Sequence, residues 1–180
     1  MKKYLVIGNP VTHSLSPLLH NYWIKENKIK AMYDKKQVDK RDLKNIVLQI
    51  KQSHIHGINV TVPFKNDIIS FIDQLSHEAE VTQSVNTIYL RDGQTVGHNT
   101  DIAGFELSIK KIKYDVNNKR ILILGAGGVV PSIIFALNKM KALSIKISNR
   151  TKEKAINLKK LFNNVEIIDW GNIPDFDMII

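Results

Sequence analysis

The chain has 180 residues, of which 43% are hydrophobic, and its 26 Lys and Arg against 17 Asp and Glu give a formal charge of +9. That apolar share is enough for one large core or two small ones. No apolar run approaches the roughly 18 residues of a membrane span, and the lack of cysteine rules out disulfides, thiolate metal sites and thiol nucleophiles. The excess positive charge attracts anions. The basic residues are scattered rather than gathered in a stripe with interleaved aromatics, so the signal for nucleic acid is weak. The opening MKKYLVIGNP turns polar too early for a secretory signal, and a cytoplasmic protein is expected.

KYLVIG reads as a short buried strand, and SPLLHNYWIKEN as a helix with Leu18, Leu19, Tyr22 and Trp23 on one face. Ser16 is expected as the N-cap of that helix with Pro17 at its first position, so that free amides and two hydroxyls await a carboxylate. AMYDKKQV reads as a strand, and RDLKNIVLQIKQS has helical spacing at Leu43, Ile46, Val47 and Ile50. GINVTVP follows as another strand and delivers Lys65 after a proline; taken alone, a lysine there is ordinary surface. Strand and helix in alternation argue for a parallel α/β layer. NDIISFIDQL and SHEAEVTQS are predicted as two short helices, and SVNTIYLRDGQTVGHNT as a hairpin turning at Asp92 and Gly93.

From Asp101 the pattern changes to a helix, DIAGFELSIKKIKY, with Thr100 as its cap, and then to the polar stretch DVNNK, which marks a boundary. RILILGAGGVVPSIIFALNKM is an apolar strand, a glycine turn and a helix, and LSIKISNR is a second strand. Together they make the start of a dinucleotide-binding βαβ unit. Gly125 provides the tight turn and Gly127 lets backbone approach a pyrophosphate. The loop of Gly125, Ala126, Gly127, Gly128 and Val129 leads into a helix N-terminus with amide donors and positive dipole. Val130 stands where the usual pattern has Gly or Ala, which puts close packing of helix on strand in question, while Pro131 is harmless in a first helical turn.

The end of the second strand bears on which dinucleotide is held. NAD sites usually carry an Asp or Glu about 20 residues past the glycines for the ribose hydroxyls. Here the sequence is SNRTKEKA, and Arg150, with Asn149, Thr151 and Lys154 in reach, offers a fork of donors to a 2′-phosphate. Cations at a helix start are unfavourable unless an anion sits there, so NADP is expected.

GNPVTHSLSPLLHN (8–21), GINVTVPFK (57–65), SVNTIY (84–89) and GHNTDIAGF (97–105), followed by GAGG and NRT, closely resemble the shikimate dehydrogenase family in wording, order and spacing. The resemblance spans essentially the whole chain. It implies an α/β protein with an N-terminal substrate-binding domain (1–101), a connecting helix and linker (102–118) and a C-terminal NADP-binding Rossmann domain (119–180), the active site lying in the cleft between. It also implies reversible NADPH-dependent reduction of 3-dehydroshikimate to shikimate in aromatic amino-acid biosynthesis, by a monomer or homodimer. On this resemblance Ser14 and Ser16 take the substrate carboxylate, and Asn59, Thr61, Asn86 and Asp101 take the ring hydroxyls. Lys65 and Asp101 form the catalytic pair. Lys65 is the natural proton donor to the reduced oxygen, although a coupled pair titrates as a unit and the formal acid stays open between the two. His13 and His98 flank motif residues but receive no catalytic part, and no His, Asp and Glu cluster has metal-ligand spacing.

The chain ends at DFDMII, inside an apolar run that resembles a strand of the Rossmann sheet. Family members continue further and supply the rest of that sheet, the nicotinamide pocket and terminal helices, so a truncated, incomplete Rossmann domain is expected. Two alternatives stand beside the main reading. One is a quinate or shikimate dehydrogenase that accepts NAD; the other is a catalytically incomplete fragment that binds shikimate or a nucleotide.

Overall fold

In the computed structural model, which describes residues 1–180, β1 (Lys2–Gly8) pairs in parallel with β2 (Ala31–Gln37) on one side and β3 (Gly57–Val60) on the other. Two further strands, β5 (Thr87–Arg91) and β6 (Gln94–His98), form the expected hairpin, and β5 runs antiparallel to β3. A short β4 (Gln74–Leu75) closes the edge, giving the order β2-β1-β3-β5-β6-β4. The layer is therefore mixed, not parallel throughout.

Successive strand residues point to opposite faces, and this sorts the first sheet into two surfaces. Leu5 and Ile7 of β1, Ile58 and Val60 of β3 and Ile88 of β5 are buried in one cluster with Leu43, Ile46, Val47 and Ile50 of α2 (Leu43–Lys51). Each such side chain contributes about 1.5–3 kcal/mol by leaving water. The register sets Tyr4 opposite Tyr33 and Gly57, Val6 opposite Asn59, and Asn59 opposite Thr87, so these residues share the other face. There α1 (Ser16–Glu26) packs beside β2, and Val6, Val11 and Tyr33 form a smaller buried cluster with Ile24 against it.

Several expectations change in detail. Leu18, Leu19, Tyr22 and Trp23 do lie on α1, but all four are exposed, and the helix buries none of its residues. Ser16 is not the N-cap. Leu15 holds that position with helical dihedrals, so Ser16 is already inside the helix, and its N–H donates to Ser14 Oγ at 3.3 Å. The strand expected over GINVTVP stops at Val60, because the chain turns there and Phe64 N–H bonds to Thr61 O at 3.1 Å. Only Asp67–Phe71 of NDIISFIDQL coils, as a 3-10 turn; beyond it, Asp73 accepts from Thr95 N–H and Oγ1 at 2.8 Å each and draws the next residues into β4. The second short helix is present as α3 (His77–Thr82), capped by Ser76 Oγ.

The chain divides into two units, Met1–Asn99 and Thr100–Ile180. In the second, four parallel strands lie in the order β10-β7-β8-β9, with β7 at Arg120–Leu124, β8 at Ser144–Ser148, β9 at Val165–Ile168 and β10 at Met178–Ile179. The apolar run of DFDMII thus pairs in the sheet, as its composition suggests. Two helices, α4 (Asp101–Lys111) and α5 (Val130–Lys139), pack together, tied by Glu106 to Lys139 at 2.9 Å, and α6 (Lys152–Leu161) leads to β9. Thr100 occupies the N-cap position of α4, yet its dihedrals are helical and its side chain makes no capping bond. Val130 is buried at the start of α5, so the glycine loop accommodates it. No helix is long and apolar enough to cross a membrane.

Candidate active site

The loop after β1 and the turn after β3 meet through a close backbone approach. A methyl group on Gly8 would stand 2.5 Å from Thr61 Cγ2 and 3.0 Å from Val62 O, so only glycine lets the two segments touch. Asn9 N–H donates to Val62 O at 3.0 Å and Ser14 N–H to Val11 O at 3.0 Å, which holds the serine loop in place. As a result Ser14, Ser16 and Thr61 line one cavity of about 330 Å³, with His13 at its wall. A larger cavity of about 540 Å³ opens between α2 and the 67–71 turn, and no candidate residue lines it.

Asn59 and Asn86 are joined by side chains that the sequence did not single out. Asn59 Oδ1 accepts from the Tyr33 hydroxyl at 2.6 Å, and Asn59 Nδ2 donates to Thr87 Oγ1 at 3.0 Å and to Asn86 O at 3.2 Å. Thr87 Oγ1 donates to Asn86 Oδ1 at 3.0 Å. Burial pushes the Tyr33 phenol well above its ordinary value, which keeps it protonated. Lys65 is half-buried, and its carbonyl accepts from Val85 N–H at 2.8 Å, which fixes its backbone beside Asn86. Asp101, also half-buried, is the first residue of α4 in the second unit.

In that unit Gly125 has φ +125°, a conformation that favours glycine, and its N–H bonds to Ser148 O at 2.9 Å. The next four N–H groups, of Ala126, Gly127, Gly128 and Val129, donate to no protein acceptor, and a methyl group on Gly127 or Gly128 would meet no protein atom within 4 Å. A turn of unpaired amides opening into a helix is the donor set a pyrophosphate requires. At the end of β8, Asn149 Nδ2 donates to Thr151 O at 2.6 Å, and Lys152 is taken by Asp169 at 2.7 Å. Arg150 and Lys154 are exposed and make no ion pair, and both are therefore available to a phosphate.

Residues 6–88 match the family model described as shikimate dehydrogenase substrate binding domain, and residues 106–178 match that described as shikimate / quinate 5-dehydrogenase. A shikimate dehydrogenase (NADP(+)) of Pelagibacter ubique (strain HTCC1062) is 58% identical over 179 residues, a span covering 99% of this chain and 68% of that protein. The chain belongs to the shikimate dehydrogenase family. Among solved structures, shikimate dehydrogenase from Aquifex aeolicus matches with a TM-score of 0.87 at 40% identity, over 93% of this chain and 62% of that one. Shikimate 5-dehydrogenase from Thermus thermophilus, in complex with NADP(H) and shikimate, matches with a TM-score of 0.84 at 28% identity, over 93% and 63%. The chain thus spans about two thirds of the length of these shikimate dehydrogenases.

Three residues beside the candidates receive no role from the sequence, although Gly8 opens GNPVTHSLSPLLHN and Thr87 lies in SVNTIY. Gly8 had a usable signal, since a glycine closing a strand before Asn-Pro suggests close approach. Tyr33 lies outside every such stretch, and each of Tyr33 and Thr87 looks like an ordinary strand residue until the fold places it against Asn59.

Proposed function

We propose that the protein catalyses the reversible NADPH-dependent reduction of 3-dehydroshikimate to shikimate, a step of aromatic amino-acid biosynthesis. The observation that carries the reading is the convergence of Ser14 and Ser16, from the loop after β1 and the start of α1, with Thr61, from the turn after β3, on one cavity. The 58% identity to a shikimate dehydrogenase (NADP(+)) supports it independently. In this reading the two serine hydroxyls bind the substrate carboxylate, and Asn59, Thr61, Asn86 and Asp101 hold the ring hydroxyls. Lys65 delivers a proton to the ketone oxygen and stabilises the charge that develops there, and Asp101 exchanges that proton.

NADPH, when bound, supplies the hydride and NADP accepts it in reverse. The unpaired amides of Ala126 to Val129 would hold the pyrophosphate, and Arg150, with Asn149, Thr151 and Lys154, the 2′-phosphate. The reading includes a cytoplasmic location, a monomer or homodimer, and no nucleic-acid partner.

The test is a shikimate-dependent NADP reduction assay with Lys65→Ala alongside the wild-type protein. Turnover at saturating shikimate should fall by about 10²- to 10⁴-fold while KM moves little. A large rise in KM with turnover intact would make Lys65 a binding residue and overturn its assigned role.

A further inference from the structure

The Asn59 side chain admits one assignment of donors and acceptors. The Asn86 carbonyl can only accept, and it already takes Val60 N–H at 2.9 Å, so the Asn59 atom 3.2 Å from it is the nitrogen of the amide. The second Asn59 N–H goes to Thr87 Oγ1. Oδ1 is left facing the Tyr33 hydroxyl, which donates. Thr87, having accepted, turns its own hydrogen to Asn86 Oδ1. In the structure these bonds run one way, from Tyr33 through Asn59 and Thr87 to Asn86.

The start of this chain is held firmly. Asn21 of α1 brackets the Tyr33 backbone, donating to its O at 2.7 Å and accepting from its N–H at 3.0 Å, and the His20 ring stacks on the Tyr33 ring at 4.1 Å and 11°. His20 Nδ1 in turn lies 2.9 Å from Ser16 O. The helix that carries Ser16 thus also fixes the donor that orients Asn59.

An asparagine side chain has two N–H donors and two oxygen lone pairs. In Asn59 both donors and one lone pair are committed, which leaves a single acceptor position. We propose that Tyr33 and Thr87 are positioning residues for the substrate site: they lock the amides of Asn59 and Asn86 in one polarity, so that Asn59 meets a ligand only by accepting from a ring hydroxyl. This rests on the reading that the first unit holds shikimate. Without Tyr33 the Asn59 amide loses the donor opposite its oxygen, and without the Thr87 hydroxyl the two amides lose their link.

Calorimetric titration of shikimate into the wild-type protein, Tyr33→Phe, Thr87→Val and Thr87→Ser, with circular dichroism on each, tests the proposal. Tyr33→Phe and Thr87→Val should each weaken binding about tenfold. Thr87→Ser, which keeps the hydroxyl, should stay within about twofold of wild type, whereas a role in packing alone would favour the isosteric valine. Because Tyr33 acts through Asn59, Tyr33→Phe should add no loss in an Asn59→Ala background. Wild-type binding that neither Tyr33→Phe nor Thr87→Val weakens, or an equal Tyr33→Phe loss with and without Asn59, overturns the relay while leaving the shikimate reading intact. No binding by the folded wild-type protein overturns the reading and the positioning role together.

Discussion

The two units meet their expected ligands with different materials. In the first, the candidate groups are side chains already bonded to one another: Asn59 is held by Tyr33 and Thr87, and Thr61 is seated against Gly8. In the second, the groups expected to take the phosphates are chiefly backbone amides without protein partners and exposed cations without carboxylates. A multiply hydroxylated ring needs its donors and acceptors fixed in polarity, because each misdirected group is a lost hydrogen bond. A phosphate accepts from any donor aimed at it, so a turn of amides and one flexible guanidinium are enough. The contrast predicts that the first site is sensitive to subtle changes of shape and polarity, and the second chiefly to loss of charge.

The largest effect that would sharpen this contrast lies at Arg150. Arg150→Ala should weaken NADP binding about 10- to 100-fold and leave NAD nearly unchanged, since charge-assisted bonds to the 2′-phosphate are worth about 1.5–3 kcal/mol. Binding measured with both cofactors checks it; equal losses would remove Arg150 from the phosphate site.

The glycines separate the two sites by stability. Gly8→Ala should destabilise the protein by about 1–3 kcal/mol in urea titrations, because its methyl group collides with Thr61 and the Val62 carbonyl. Gly127→Ala meets only open space and should change stability by less than about 0.5 kcal/mol while weakening NADP. Similar destabilisation by both would contradict the distinction between a packed and an open site.

The smallest expected effect is one the units share. The Lys51 ammonium, with the N–H and hydroxyl of Thr95, lowers Asp73 to about 2, and the Arg120 guanidinium and N–H lower Asp177 to about 2. A carboxylate depressed in the folded state stabilises it above the unfolded pKa of about 4, and loses that contribution as pH falls toward about 2. The urea midpoint should therefore drop between about pH 4 and pH 2, and Asp73→Asn should flatten part of that drop. An unaltered profile in Asp73→Asn would mean the pair with Lys51 contributes nothing.

Much of this was readable from the sequence, for identifiable reasons. The spacing of Leu43, Ile46, Val47 and Ile50 gives α2 its buried face, and the glycine turn between RILIL and VPSIIFALNK gives the βαβ start. Ser14, Ser16 and Thr61, which the family resemblance makes substrate contacts, line one cavity, although Ser16 lies inside the helix that it is expected to cap. What the sequence hid depends on contacts between distant residues. QL joins β6 as a strand only because Thr95 bonds Asp73 from 22 residues away, and Tyr33 reaches Asn59 only through strand register. The apolar face of α1 illustrates the converse: helical spacing identified Leu18, Leu19, Tyr22 and Trp23 as neighbours, but spacing says nothing about what covers them.

Shikimate titrated calorimetrically into the folded chain, beside Ser14→Ala and Ser16→Ala, shows whether the cavity of the first unit is the substrate site. Saturable heat is expected for the wild-type chain and about tenfold weaker binding for each serine variant, since each hydroxyl is assigned a bond to the carboxylate. No heat from a folded chain, or binding indifferent to both serines, would contradict that assignment.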